Sequence, residues 1–229
     1  SSMGSCFIGG NIAENSGGAR ALKYGVTKDY VLNLEVVLPT GDIIWTGANT
    51  LKNSTGYNLT QLMVGSEGTL GIVTKIVLKL LPQNKHNVLL LVPFYKADQA
   101  CEAVSAIFRA GIVPSALEFM ERDAIDWTLK FVDGLNVEVK DNVQAHLLIE
   151  VDGNYPEILM QEAEQILALV EQFEIDEVLF ADTEEQKNAL WKMRRSVAEA
   201  VKANSIYKEE DTVVPRYELP KLLKGIKEI

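Results

Sequence analysis

The chain has 229 residues, 47% of them hydrophobic and 24% charged, with a formal net charge of −10. That composition is ordinary for a globular protein with one large core or two modest ones. The acidic balance argues against nucleic acid and anionic lipid, which recruit clustered Lys and Arg, and no apolar run approaches the ~18 residues of a membrane span.

The first 25 residues, SSMGSCFIGGNIAENSGGARALKYG, carry two Gly-Gly pairs among small and amide side chains. They match neither the G-x-G-x-x-G fingerprint, since no strand precedes them, nor a P-loop. Two readings stay open: a tight structural turn, or close backbone approach to a flat or phosphorylated ligand with Asn amides as donors and acceptors. Residues 31–45 then predict two strands around the turn Thr40-Gly41-Asp42, with Leu32, Leu34, Val36 and Leu38 on one face. A loop, a short helix and a second glycine-rich turn follow. The segment IVTKIVLKLLP reads as a half-buried strand with Ile72, Thr74, Ile76, Leu78 and Leu80 on one face and Lys75 and Lys79 on the other. From Pro82, PQNKHN is the best linker, which predicts domains at 1–83 and 84–229.

Beyond the linker the pattern becomes strand-helix-strand, twice. VLLLVPF leads into a helix from Asp98 to Gly111; SALEFM precedes a helical ERDAIDWTLKFV; AHLLIEVDG feeds a helix opened by Pro156 with a stripe of Leu159, Ala163, Ile166, Val170 and Phe173. DEVLFAD precedes a helix with a capping-box pair, Thr183 and Gln186. The expected fold class is α+β, with a ferredoxin-like antiparallel sheet and helices on one side.

Cys6 and Cys101 form neither a CxxC motif nor a disulfide framework and read as free thiols of a reducing cytoplasm. On the helix from Thr183 to Asn204, Leu190, Met193, Val197 and Val201 make one apolar arc at ~100° per residue. Arg194 falls roughly 55° from its centre and Arg195 roughly opposite, where solvent is expected. An arginine on a buried edge either meets an internal carboxylate or waits for an anionic ligand. His86 and His146 have no carboxylate or second histidine at ligand spacing, so the chain offers no metal site and no catalytic general base.

The strings GSCFIGGNIAENSGGARALKYG, VLNLEVVLPTGDII and TGYNLTQLMVGSEGTLGIVTKIVLKLLP, in that order, closely resemble the FAD-linked 2-hydroxy-acid dehydrogenases and oxidases. This is the glycolate oxidase, D-lactate dehydrogenase and D-2-hydroxyglutarate dehydrogenase group of the vanillyl-alcohol oxidase fold. ALEFM, LWKMRRSVAEAV and EDTVVPRYELPKLL extend the resemblance into the substrate or cap domain. It implies that 1–83 is the second half of an FAD-binding domain and 84–229 a cap domain. An N-terminal FAD subdomain and a C-terminal segment with catalytic and metal-binding histidines would lie outside the chain, leaving it catalytically silent alone.

The resemblance implies non-covalent FAD and allows a divalent metal held by residues beyond Ile229. Ser2, Met3, Gly4, Ser5, Cys6, Ile8, Gly9, Gly10, Asn11, Asn15, Gly17 and Gly18 would line the flavin and its diphosphate. Glu67, Gly68, Gly71 and Ile72 would approach the ribityl and adenosine side. It places Arg194, with Lys208 fourteen residues on, at the substrate carboxylates, but Ala198 stands where hydroxyglutarate-type members have a threonine. The implied substrate is therefore a small 2-hydroxy acid of the D-lactate or glycolate type, oxidised by hydride transfer to flavin. The electron acceptor is left open, and a homo-oligomer is compatible. A flavin-dependent transferase resembling alkylglycerone-phosphate synthase, or a non-catalytic module on the same fold, are the alternatives.

Overall fold

The computed structural model describes residues 4–228 apart from 136 and 138, and chain contacts separate two units, Ser1–Gln83 and Asn84–Ile229. In the first unit the helices α1 (Ile8–Glu14) and α2 (Ala21–Tyr24) precede strands β1 (Val31–Val37) and β2 (Ile43–Trp45). Helix α3 (Leu59–Met63) and strand β3 (Ile72–Leu78) follow. The antiparallel sheet runs β2-β1-β3. Ile12, Val31, Leu34, Val36, Met63 and Val64 form its core.

Glycines at 9 and 10 disfavour a helix by about 1 kcal/mol each, and the sequence gives little sign of α1. It forms because Ile12 is fully buried in that core, and because Asn15 closes the helix in the left-handed region at φ 50°. The Asn15 Oδ1 also accepts the N–H of Lys28 at 2.9 Å.

Strand β3 departs from the expected alternation. Val36 pairs with Val73 and Glu35 with Lys75, so Thr74 is an extra residue, a β-bulge. A bulge reverses which face later residues take. Val73, Ile76 and Leu78 therefore pack on the core together, while Ile72 is 61% exposed and Leu80 is exposed beyond the strand.

In the second unit the order is β4 (His86–Phe94), α4 (Ala97–Arg109), β5 (Ala116–Glu121), α5 (Arg122–Phe131), β6 (Ala145–Gly153), α6 (Pro156–Val170), β7 (Leu179–Ala181), α7 (Glu184–Asn204) and α8 (Leu219–Lys227). The sheet runs β5-β6-β4-β7, all antiparallel, the ferredoxin-like arrangement. Leu90, Val92, Phe94, Leu147, Ile149 and Val151 face α4 and α6.

The helices are not confined to that side. On the opposite face Leu89, Leu91, Met120 and Leu148 receive Ile125 of α5 and Leu190 and Met193 of α7. The reason is in the strands: residues 145–151 of β6 are all buried, so both faces of that strand are covered, and Glu150 on this second face meets Trp191 of α7. Thr183 caps α7 by accepting the Gln186 N–H while the Gln186 Oε1 accepts the Thr183 N–H, each at 3.3 Å.

Candidate functional site

The two glycine-rich segments of the first unit meet. Gly65 donates its N–H to the Ile12 carbonyl at 2.9 Å, and Glu67 to the Ala13 carbonyl at 3.1 Å. Asn58 prepares this turn by accepting the Gln61 N–H at 3.0 Å, which caps α3. The chain then reverses through left-handed residues, including Glu67 at φ 52° and Gly68 at φ 76°.

The glycines of these segments sort by what a Cβ would meet. At Gly17 it would lie 3.0 Å from Val26 Cγ1, and at Gly71 2.6 Å from Val36 Cγ1 and 2.8 Å from the Val37 carbonyl oxygen. Those two are glycine for internal packing. At Gly4, Gly9, Gly10 and Gly18 a Cβ would meet nothing within 4 Å, and none of the four has a positive φ. Neither conformation nor packing within the unit explains them. What they leave is exposed backbone with no side chain at those four positions, which fits the close approach of a planar or phosphorylated group.

Ser5, Cys6 and Ile8 share that exposed opening, and Asn11 directs its amide at Cys6 Sγ over 3.9 Å. Ser2 and Met3 lie outside the described residues. Asn15 is spent on the Lys28 backbone, whereas Glu67 and Ile72 are exposed and Gly71 is buried.

In the second unit, three residues of one α7 stripe reach three neighbouring strands. Lys187 Nζ donates to Asn87 Oδ1 of β4 at 3.1 Å, and Trp191 Nε1 to Glu150 Oε2 of β6 at 2.9 Å. Arg194 Nε and Nη2 both donate to Glu118 Oε2 of β5, at 2.7 and 2.6 Å. Glu150 is fully buried, and its Oε1 also accepts the Ser115 hydroxyl at 3.0 Å.

Arg194 has thus met an internal carboxylate, the first of the two outcomes left open, yet its side chain stays 37% exposed. Arg195 is half-buried rather than solvated: its Nε folds back onto the Trp191 carbonyl of its own helix at 3.0 Å. Lys208 lies past the end of α7, is 85% exposed and pairs with Glu210. The Glu118 and Glu150 contacts join residues far apart in sequence, and no local pattern announces them.

His146 is buried in β6, and its Nδ1 has no hydrogen-bond partner. Burial, with the Arg122 charge adding and Asp126 opposing, pushes its pKa down to about 4. Burial likewise raises the Cys101 thiol to about 11, which keeps it unreactive. Among the described residues no three His, Cys, Asp or Glu side chains gather as metal ligands. No helix among them is long and apolar enough to cross a membrane.

Residues 83–229 match the family model described as FAD linked oxidases, C-terminal domain, and residues 1–47 match the FAD binding domain model. The chain belongs to the FAD-linked oxidases. FAD is accordingly its cofactor, and the open glycine surface fits that group.

This FAD-linked oxidase chain is 44% identical to the glycolate oxidase subunit GlcD of Bacillus subtilis over 100% of its own length and 48% of the relative's. It is 40% identical to a D-lactate dehydrogenase of Anaerostipes hadrus, over 97% of the chain and 48% of that protein. With the mitochondrial D-2-hydroxyglutarate dehydrogenase of Arabidopsis thaliana it shares 33% over 90% of the chain and 37% of the relative. The chain spans about half the length of the first two. Among solved structures, an alkyldihydroxyacetonephosphate synthase superposes with a TM-score of 0.65 at 18% identity, covering 95% of this chain and 37% of that one. That likeness is one of fold.

Proposed function

We propose that the full-length enzyme oxidises a small 2-hydroxy acid, of the D-lactate or glycolate type, to the 2-oxo acid using non-covalent FAD. The support is similarity along the whole chain to proteins named for those reactions. One observation carries the substrate half: a partly exposed Arg194 whose guanidinium is held along one edge by Glu118. The rest of the group is left to receive a carboxylate.

Gly4, Ser5, Cys6, Ile8, Gly9, Gly10, Asn11 and Gly18 would receive the flavin and its diphosphate, with Asn15 and Gly17 shaping that surface from behind. Glu67, Gly68 and Ile72 would lie toward the ribityl and adenosine side, and Gly71 holds their turn against β1. A free Glu67 carboxylate suits ribose hydroxyls better than phosphate, because like charges repel. Bound FAD supplies the hydride acceptor. Arg194 would fix the substrate carboxylate and so orient C2. Lys208, exposed and paired with Glu210, would serve a second carboxylate. With Ala198 in place of a hydroxyl donor, the site favours monocarboxylates. The two free thiols, Cys6 and Cys101, suit a cytoplasmic enzyme.

The test is kcat/KM of the FAD-loaded full-length protein for D-lactate, glycolate and D-2-hydroxyglutarate. The expected order puts one of the two monocarboxylates first. A clear preference for D-2-hydroxyglutarate would overturn the substrate assignment.

A further inference from the structure

We propose that Glu118 is a positioning residue for Arg194. It holds the Nε–Nη2 edge of the guanidinium so that Nη1 and the second Nη2 hydrogen are presented to the substrate carboxylate. The inference rests on the reading of Arg194 as the carboxylate receptor.

Three features of the second unit point to it. Both donors of one guanidinium edge converge on a single oxygen, Glu118 Oε2. The Glu118 side chain is only 15% exposed, against 37% for Arg194, so the arginine is the open member of the pair and the carboxylate the enclosed one. Helix α7 is fixed beneath the arginine by the Trp191–Glu150 and Lys187–Asn87 contacts, so the stem of Arg194 starts from a set place. A long side chain held in this way loses less freedom when the ligand arrives.

The alternative role for Glu118 is that of a competitor, displaced as substrate binds. Displacement would strip a mostly buried carboxylate of its counter-ion, which is costly. The substrate therefore adds to the pair and does not replace Glu118. A guanidinium with one edge committed has one edge left, and so takes one carboxylate.

The experiment uses the FAD-loaded full-length enzyme with its better monocarboxylate substrate, comparing Arg194→Met, Glu118→Gln and the double variant. FAD content and melting temperature monitor folding. Arg194→Met should raise KM ten- to hundredfold, the scale of a charged hydrogen bond. Glu118→Gln should raise KM about tenfold with kcat within twofold, and the double variant should be no worse than Arg194→Met alone. Glu118→Asp keeps the charge but withdraws it by one methylene, and should fall between wild type and Glu118→Gln. It serves as the test if Glu118→Gln does not fold. If Arg194→Met raises KM while the Glu118 variant leaves it unchanged or lowers it, Glu118 is not a positioning residue. Additive effects in the double variant would overturn the proposal equally. A KM indifferent to Arg194→Met would instead remove the receptor reading, and the inference with it.

Discussion

The backbone N–H of Glu67 donates to the carbonyl of Ala13 over 3.1 Å. Together with the Gly65–Ile12 bond, it joins the turn after α3 to the C-terminal half of α1, so two distant glycine-rich strings become one surface. The glycines on that surface divide into those the protein needs for itself and those it leaves open, and the division is testable.

Gly71→Ala would drive a methyl against Val36 Cγ1 and the Val37 carbonyl, at 2.6 and 2.8 Å. Overpacking of this kind costs about 1–3 kcal/mol, read as a lower urea midpoint of the first unit. Gly10→Ala should do the reverse. It meets no atom and raises helix propensity by up to about 1 kcal/mol, so the apoprotein gains stability. FAD should nonetheless bind about tenfold more weakly, the equivalent of ~1.4 kcal/mol. Titration of apoprotein with FAD decides it: unchanged affinity would mean that Gly10 does not face the cofactor.

Arg194 and Arg195 are adjacent in sequence but differ in partner. Arg195 donates to its own helix at Trp191, and Arg195→Met should leave KM within twofold. Equal losses for Arg194→Met and Arg195→Met would contradict the assignment of the receptor to one arginine.

Trp191→Phe removes the 2.9 Å donor to the buried Glu150 Oε2. Leaving a buried carboxylate short of a donor costs about 1–3 kcal/mol, and the second unit should unfold at correspondingly lower urea. A loss below about 0.5 kcal/mol, the range of ordinary surface changes, would show that the contact adds nothing.

His146 makes stability pH-dependent. Its folded pKa of about 4 lies below the ordinary 6.5 because burial disfavours the charged imidazolium, with the Arg122 charge adding to the effect. Between those values the unfolded chain binds the proton and the folded chain does not. The contribution is therefore complete above pH 6.5 and lost as pH falls toward 4. His146→Leu should flatten the urea midpoint across that window. A slope that survives the substitution would assign the pH dependence to other groups.

The unevenness of the sequence reading has physical causes. Strand β6 runs over the expected residues, Ala145–Gly153, because a short β-prone stretch around Leu147-Leu148-Ile149 is closed by the Asp152-Gly153 turn signal. VLLLV of β4 holds the signal for a second helical layer, since both faces of that strand are apolar. The period-two reading of β3 failed at Thr74, because a bulge leaves no mark in hydrophobic alternation. Helix α1 was hidden by Gly9 and Gly10, whose low propensity is overridden by burial of Ile12. At the site, the arc position of Arg194 was legible from helical geometry. Its partner was not, because Glu118 lies on β5, far away in sequence, and meets Arg194 only where α7 packs on the sheet.

Oxidation of a 2-hydroxy acid at bound FAD is tested most directly by mixing the FAD-loaded full-length protein with D-lactate or glycolate without oxygen. The yellow absorbance of the flavin should bleach with one of the two acids in the wild type, and far more slowly at the same concentration in Arg194→Met. Flavin that stays oxidised in the wild type with either acid, despite full FAD occupancy, would contradict the account.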